Sequence, residues 1–313
     1  MLRFIAKRLA IAIPMLFVIA TLTFLVVQLL PGDAAATILG ENAPATELAR
    51  VRHELGLDQP IYVQYFSWLG GVLSGNFGHS LINGQSVAAA LGSRSVITMT
   101  IAVVATVVSL VIGVLLGMWA ALRGGAVDRV LRGITSVGMS IPNFWIGVLF
   151  VLVFAVWLRV LPANGWTDFS LDPGAWARGL VLPVAAISIS AVATLTRQTR
   201  ASFHETLGRD FVRSLRASGL SVRSIALKHV LRNASIPVIT VVGLLFVSLL
   251  GGAVIVEQVF ALPGVGQLAI EAVVNRDVPV IQGVILYMTL VVLLVNLALD
   301  IAYAWLNPKV RMS

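Results

Sequence analysis

The sequence predicts an all-α integral membrane protein with six transmembrane helices and both termini in the cytoplasm. Three observations predict it. The chain is 58% hydrophobic and only 12% charged, whereas soluble domains average about 25% charged residues. Six apolar runs, 9–30, 96–122, 134–158, 180–196, 236–256 and 281–304, approach or exceed the roughly 20 residues that cross a bilayer. Lys and Arg are unequally shared between the segments flanking those runs. The side holding both termini carries 16 of the 22, and the other side 6. Basic residues are retained in the cytoplasm, which orients the chain.

The first run follows Arg3, Lys7 and Arg8. It resembles a signal peptide, but its apolar stretch is too long for one, so an uncleaved span is expected. The segment after it is helical in pattern. Thr46 is placed to cap a helix bearing Leu48, Val51 and Leu55 and ended by Gly56. Ile61, Tyr65, Trp68, Leu69 and Val72 then form a stripe suited to packing on the outer ends of spans or to the interface. The fourth run is the most polar, diluted by Ser188, Ser190, Thr194 and Thr196. Between the fifth and sixth runs, Pro263-Gly264-Val265-Gly266 is turn chemistry. It leads into a helix over 265–274 with Val265, Leu268 and Ala272 on one face.

The same residues exclude several functions. No cysteine is present, so disulfides and thiolate chemistry are absent. The four histidines are scattered and show no metal spacing, and no phosphate-binding glycine loop occurs. The basic balance, with pI near 10.8, is distributed as topology determinants rather than as a nucleic-acid surface. Few ionisable residues lie in the spans. Glu257 and Asp300 stand near span ends and read as interfacial. A self-contained ion-coupled carrier is therefore disfavoured, and energy must come from a partner.

The richest polar loop is 197–232. It holds Arg209, Arg213, Arg216, Arg223, Lys228 and Arg232. Asp210 is placed to cap a first short helix with Phe211, Val212 and Leu215 on one side, and Gly219 to end it in the left-handed conformation. Ser221 is placed to cap a second, with Val222, Ile225, Ala226 and Val230 on its apolar side. Two readings of this helix–glycine–helix corner stand side by side. It fits a groove on another protein, or it lies on anionic lipid as an interfacial helix.

The loop resembles the cytoplasmic coupling loop, the EAA motif, of permease subunits of bacterial ABC importers. Gly219 matches its glycine. Arg213, Ser214 and Leu215 stand where Glu-Ala-Ala gives the motif its name, which resembles the peptide-importer branch. Leu215 and Ser218 differ from that branch's Ala and Lys. Leu29-Leu30-Pro31-Gly32-Asp33, Leu55-Gly56-Leu57-Asp58-Gln59-Pro60, Ser140-Ile141-Pro142-Asn143-Phe144-Trp145, Phe260-Ala261-Leu262-Pro263-Gly264-Val265-Gly266 and Asn275-Arg276-Asp277-Val278-Pro279 extend the likeness over nearly the whole chain. The family is the dipeptide/oligopeptide/nickel permease group, in its first-permease type.

That resemblance implies a type I ABC importer transmembrane domain in a bacterial cytoplasmic (inner) membrane. Residues 1–95 would hold the first span and an extracytoplasmic segment, and 96–308 the transporter core. It implies four partners: a second homologous permease, two ATPase domains and an extracytoplasmic substrate-binding protein that delivers peptide. ATP and Mg²⁺ would bind the ATPases, with no cofactor on this chain. The implied coupling residues are Arg213, Ser214, Leu215, Arg216, Ala217, Gly219, Leu220 and Ser221. An outer gate or binding-protein platform would use Pro263, Gly264, Gly266, Arg276 and Asp277. A surface cover is the competing reading of that segment. A stand-alone channel or carrier, or a non-transport membrane subunit, are the competing readings of the chain.

Overall fold

The computed structural model describes residues 2–29, 34–40 and 42–306. Leu30-Pro31-Gly32-Asp33 and the basic pair Lys309 and Arg311 lie outside them. The order is α1 (Leu2–Gln28), α2 (Ala34–Leu39), α3 (Ala45–Glu54), α4 (Ile61–Leu73), α5 (Val87–Arg123), α6 (Gly125–Ser140) and α7 (Asn143–Phe150). Then come α8 (Pro173–Leu207), α9 (Asp210–Ala217), α10 (Val222–Ser224), α11 (Leu231–Val259), α12 (Val265–Val274) and α13 (Val278–Leu306). Two π-helical tracts, Val151–Trp157 after α7 and Ile225–Val230 between α10 and α11, complete the list.

Five helical stretches are long and apolar enough to cross a membrane: Ala10–Gln28, Val87–Arg123, Pro173–Leu207, Val222–Val259 and Val278–Ala302. A sixth is made by α6 with α7 and its π tract, bent by 94°. This corrects the expectation of an unbroken span over 134–158. Pro142 lacks an N–H and forces its predecessor out of the helical region. Ile141 is accordingly extended at φ −89°, ψ 127°. The run reads as continuous because hydropathy ignores that one backbone constraint.

The helices also outrun the apolar runs, because polar turns extend them into the interfaces. At the start of α8, Asp172 Oδ1 accepts from the amides of Gly174 (2.8 Å) and Ala175 (2.9 Å), with Pro173 in the first turn. In α3 the expected cap is corrected. Thr46 lies inside the helix and Pro44 precedes it without a side-chain bond. Its other end is as expected: Gly56 takes φ +67°. The amides of Gly56 and Leu57 return to the carbonyls of His53 and Arg52, which is a Schellman closure.

The chain forms two compact units. The first holds 98–262 with the end of α13 from residue 296. Its centre is α8, packed on by α6, α7 and α11. The second holds 2–97 and 263–295. Its core joins Val27, Val87, Leu91, Val265, Leu268 and Val284. There α4 lies on α1 through Phe24, Tyr65 and Trp68, whose rings approach to 5.3–5.5 Å, and Thr21 Oγ1 meets Tyr65 Oη at 2.7 Å. The predicted stripe on α4 thus serves packing against a span.

Orientation is testable because the chain has no native cysteine. Ser218 and Asn42 are both exposed. A cysteine at Ser218 is expected to resist a membrane-impermeant thiol reagent added to intact cells, and one at Asn42 to react. The opposite labelling pattern would invert the assignment.

Candidate functional site

The polar loop folds as a sharp corner. Asp210 is the first residue of α9 and makes no capping bond, with Arg209 before it. This corrects the predicted cap. Asp210 instead lies in the first turn, where the helix dipole favours a carboxylate, and takes a bond from Arg213 Nη1 at 3.3 Å. At the other end Gly219 has φ +79°. Its amide bonds the Arg216 carbonyl at 3.0 Å and the Leu220 amide bonds the Leu215 carbonyl at 3.3 Å. This is again a Schellman closure. Ser221 Oγ then accepts from the Ser224 amide at 3.3 Å, as the sequence predicts.

The corner has a buried root and an open tip. Val212, Ile225 and Val230 pack with Phe203 of α8 and Ala234 of α11, and Leu215 lies against the same cluster. All five of the first-named residues are at most 1% exposed, so no slack separates the corner from the long helices. Arg213, Ser214, Arg216, Ala217, Gly219, Leu220 and Ser221 are all exposed. Val222, expected on the buried side, is 57% exposed. Leu220, two residues before it, is also exposed, and Arg216 and Arg223 flank the pair in sequence.

Next to this root lies an ion pair that the sequence does not reveal. Asp128 of α6 is buried and receives two bonds from Arg200 of α8, through Nε and through Nη2, the latter at 2.8 Å. Arg132 adds a longer contact at 3.4 Å. The partners are 72 positions apart, so only the fold brings them together. Glu257 also has a partner that the sequence does not reveal. It stands two residues from the end of α11 and is fully buried, and Thr98 Oγ1 donates to its Oε1 at 2.6 Å. That partner offsets the cost of burying a polar group.

In the second unit α12 spans Val265–Val274, with Val265, Gly266, Leu268 and Ala272 buried as the spacing predicts. Its other face shows Ile270, Val273 and Val274, the last 73% exposed. Of the predicted outer residues, Pro263 and Arg276 are exposed, while Gly264, Gly266 and Asp277 are buried. Asp277 accepts from Ser80 Oγ and from the Leu81 amide at 3.1 Å. It is a fastener between two outer loops rather than a surface contact. Beside it, Ser80, Gln85, Arg94, Glu271 and Asn275 line a polar cleft of about 80 Å³, with Arg94 Nη1 3.3 Å from Glu271. Among the described residues no cluster of metal-ligating side chains occurs.

The comparisons agree with this architecture. The family described as "Binding-protein-dependent transport system inner membrane component" matches residues 113–312. Its N-terminal companion, "Binding-prot-dependent transport system membrane comp, N-term", matches residues 1–111. A putative peptide transport system permease protein of Brucella abortus (strain 2308) is 38% identical over 308 residues, covering 98% of each chain. The glutathione transport system permease protein of Escherichia coli (strain K12) is 39% identical over 315 residues, covering 99% of each. Among solved structures, an inward-facing MetNI methionine ABC transporter chain aligns with TM-score 0.57 at 18% identity, over 69% of this chain and 96% of that one. That likeness concerns the fold alone. With both matches running nearly end to end, the chain belongs to the family of binding-protein-dependent transport system inner membrane components, the multi-pass permease subunits of bacterial ABC transporters.

Proposed function

We propose that this chain forms half of the translocation pathway of an ATP-driven importer that takes up short peptides, including glutathione-like ones. The second half is a homologous permease. Two ATPase domains sit on the cytoplasmic face, one of them on the corner 209–232 of this chain, and an extracytoplasmic binding protein delivers substrate to the outer face. Residues 96–308 carry the importer core and 1–95 the first span with its outer segment. ATP and Mg²⁺ reside on the ATPases. The printed names of the Brucella and Escherichia relatives support the substrate class.

One observation carries the coupling assignment: an exposed tip, with Leu220 and Val222 between Arg216 and Arg223 in sequence, stands on a fully buried root. An ATPase groove that closes on the tip moves Val212 and Ile225, and through them Phe203 and Ala234. The motion passes into α8 and α11 because packed interiors transmit displacement rather than absorb it. Alternating access follows if ATP binding favours one packing of these helices and hydrolysis the other. On the outer side, the exposed apolar face of α12, with Pro263 and Arg276 beside it, is the proposed platform for the binding protein. Gly264, Gly266 and Asp277 hold that platform in shape from beneath.

Arg216→Glu tests the seat by charge. The side chain is exposed, so the substitution leaves the fold intact. ATPase co-purification and substrate-stimulated ATP hydrolysis are expected to fall about tenfold, as for a charge reversed at a contact rim. Normal values of both, at normal membrane abundance, would remove the corner from the coupling path.

A further inference from the structure

The first unit contains a groove that the transport cycle does not explain. It holds about 360 Å³ between α5, α6 and α8, and is open on one side. Ile112, Leu116, Leu131, Ile134, Ile189 and Val192 form most of its wall. Two hydroxyls in that wall are turned away to backbone carbonyls. Ser188 Oγ donates to Ala105 at 3.4 Å and Thr135 Oγ1 to Arg132 at 3.1 Å. A third is not. Thr196 is 2% exposed, and its Oγ1 has no hydrogen-bond partner among the described residues. A buried hydroxyl left in that state costs free energy.

The groove has a direction. From Ala185 to Thr196 it follows α8 for about 16 Å at 1.5 Å per residue. That is close to half of a hydrocarbon core about 30 Å thick, the depth of one leaflet. One turn beyond Thr196 along α8, past the cytoplasmic end of the groove, Arg200 binds Asp128. Arg132, one residue on from Leu131 of the wall, is 56% exposed and touches Asp128 and its backbone through Nε. Two guanidiniums face one carboxylate, so this end keeps surplus positive charge. An apolar channel of single-leaflet depth thus has a hydroxyl near its inner end and a positive charge beyond it.

We propose that this groove binds one anionic phospholipid of the cytoplasmic leaflet. One acyl chain lies along Val192, Ile189 and Ala185. The phosphate meets the outward face of the Arg132 guanidinium. The lipid then packs against α6 and α8 at the level of the Asp128–Arg200 pair, next to the root of the cytoplasmic corner.

The test uses the complete transporter, with its partner permease and ATPases, purified in detergent with equal phosphatidylglycerol and phosphatidylcholine of identical chains. Native mass spectrometry counts retained lipid. Wild type is expected to retain phosphatidylglycerol over phosphatidylcholine. Arg132→Gln is expected to lower phosphatidylglycerol retention about tenfold, the loss of one charge-assisted contact. Ala185→Phe, which fills the groove from a half-exposed position, is expected to displace both lipids. Equal retention of the two lipids by wild type, or unchanged retention in both variants, overturns the proposal. So does release of the partner permease by Ala185→Phe with no lipid effect of Arg132→Gln, which would make the groove a subunit interface.

Discussion

Gly219→Val is expected to abolish substrate uptake while the permease still reaches the membrane at near-normal abundance. Gly219 holds φ +79°, and an added Cβ would meet no heavy atom within 4 Å. The penalty is therefore purely conformational. A β-branched residue in the left-handed region costs about 1–3 kcal/mol, whereas the spans are held by their own packing. The chain escapes the strain by rebuilding the turn, which breaks the Gly219–Arg216 and Leu220–Leu215 closures and swings Leu220 and Val222 off their present line. Gly219→Asn provides the control, because Asn tolerates the left-handed region. Uptake and substrate-stimulated ATP hydrolysis should fall for valine and largely survive for asparagine. Equal loss in both would mean that bulk, not backbone shape, is what the corner cannot accept. Normal hydrolysis in both would separate the corner from coupling.

Gly117→Leu is expected to have the opposite signature, a loss of folded protein rather than of coupling. A Cβ at Gly117 would stand 2.6 Å from Thr199 Cβ, 2.7 Å from the Thr196 carbonyl oxygen and 3.0 Å from the Arg200 amide. Two of those three atoms are backbone and cannot rotate away. One turn earlier, Gly113 would meet Leu195 Cβ at 2.5 Å, so the two glycines together let α5 lie directly on α8, the small-residue contact typical of membrane helices. Leucine must force the helices apart and pull Arg200 from Asp128. The cost is about 3 kcal/mol, at the upper end for overpacking. Purified yield and the melting temperature in detergent should both drop sharply. A variant that melts with wild type would mean that α5 and α8 are free to separate there.

Local geometry was legible in the sequence wherever one residue type dictates it. Gly56 and Gly219 terminate helices with positive φ, Ser221 caps, and 265–274 is a helix with its predicted inner face. Caps inferred from residue type alone were less faithful. Thr46 and Asp210 are good cap residues two and one positions too late, and Pro44 and Arg209 precede the helices instead. Span ends were misjudged because hydropathy registers apolar length, not hydrogen-bonded length. The break at Ile141-Pro142 was visible as a proline yet outvoted by its apolar neighbours. The pairs Asp128–Arg200, Arg94–Glu271 and Ser80–Asp277 were illegible in principle. Their members are separated by 72 to 197 positions, and no periodicity links residues that meet only after the chain has packed. The tip was half legible: its arginines stood out, but the outward turn of Val222 depends on which face the root buries.

The π-helical tract Ile225–Val230 runs directly into α11. An α-helix advances about 100° of azimuth per residue, and a π tract accommodates one residue more than the α path over the same rise. The compass heading of the tip is therefore set by a single surplus residue between it and α11. Were that surplus absorbed into regular α turns, the tip would point to a different quadrant while α11 stayed in register with α8. The tract thus acts as a vernier between the cytoplasmic corner and the membrane helices, letting the heading of one be adjusted without repacking the other.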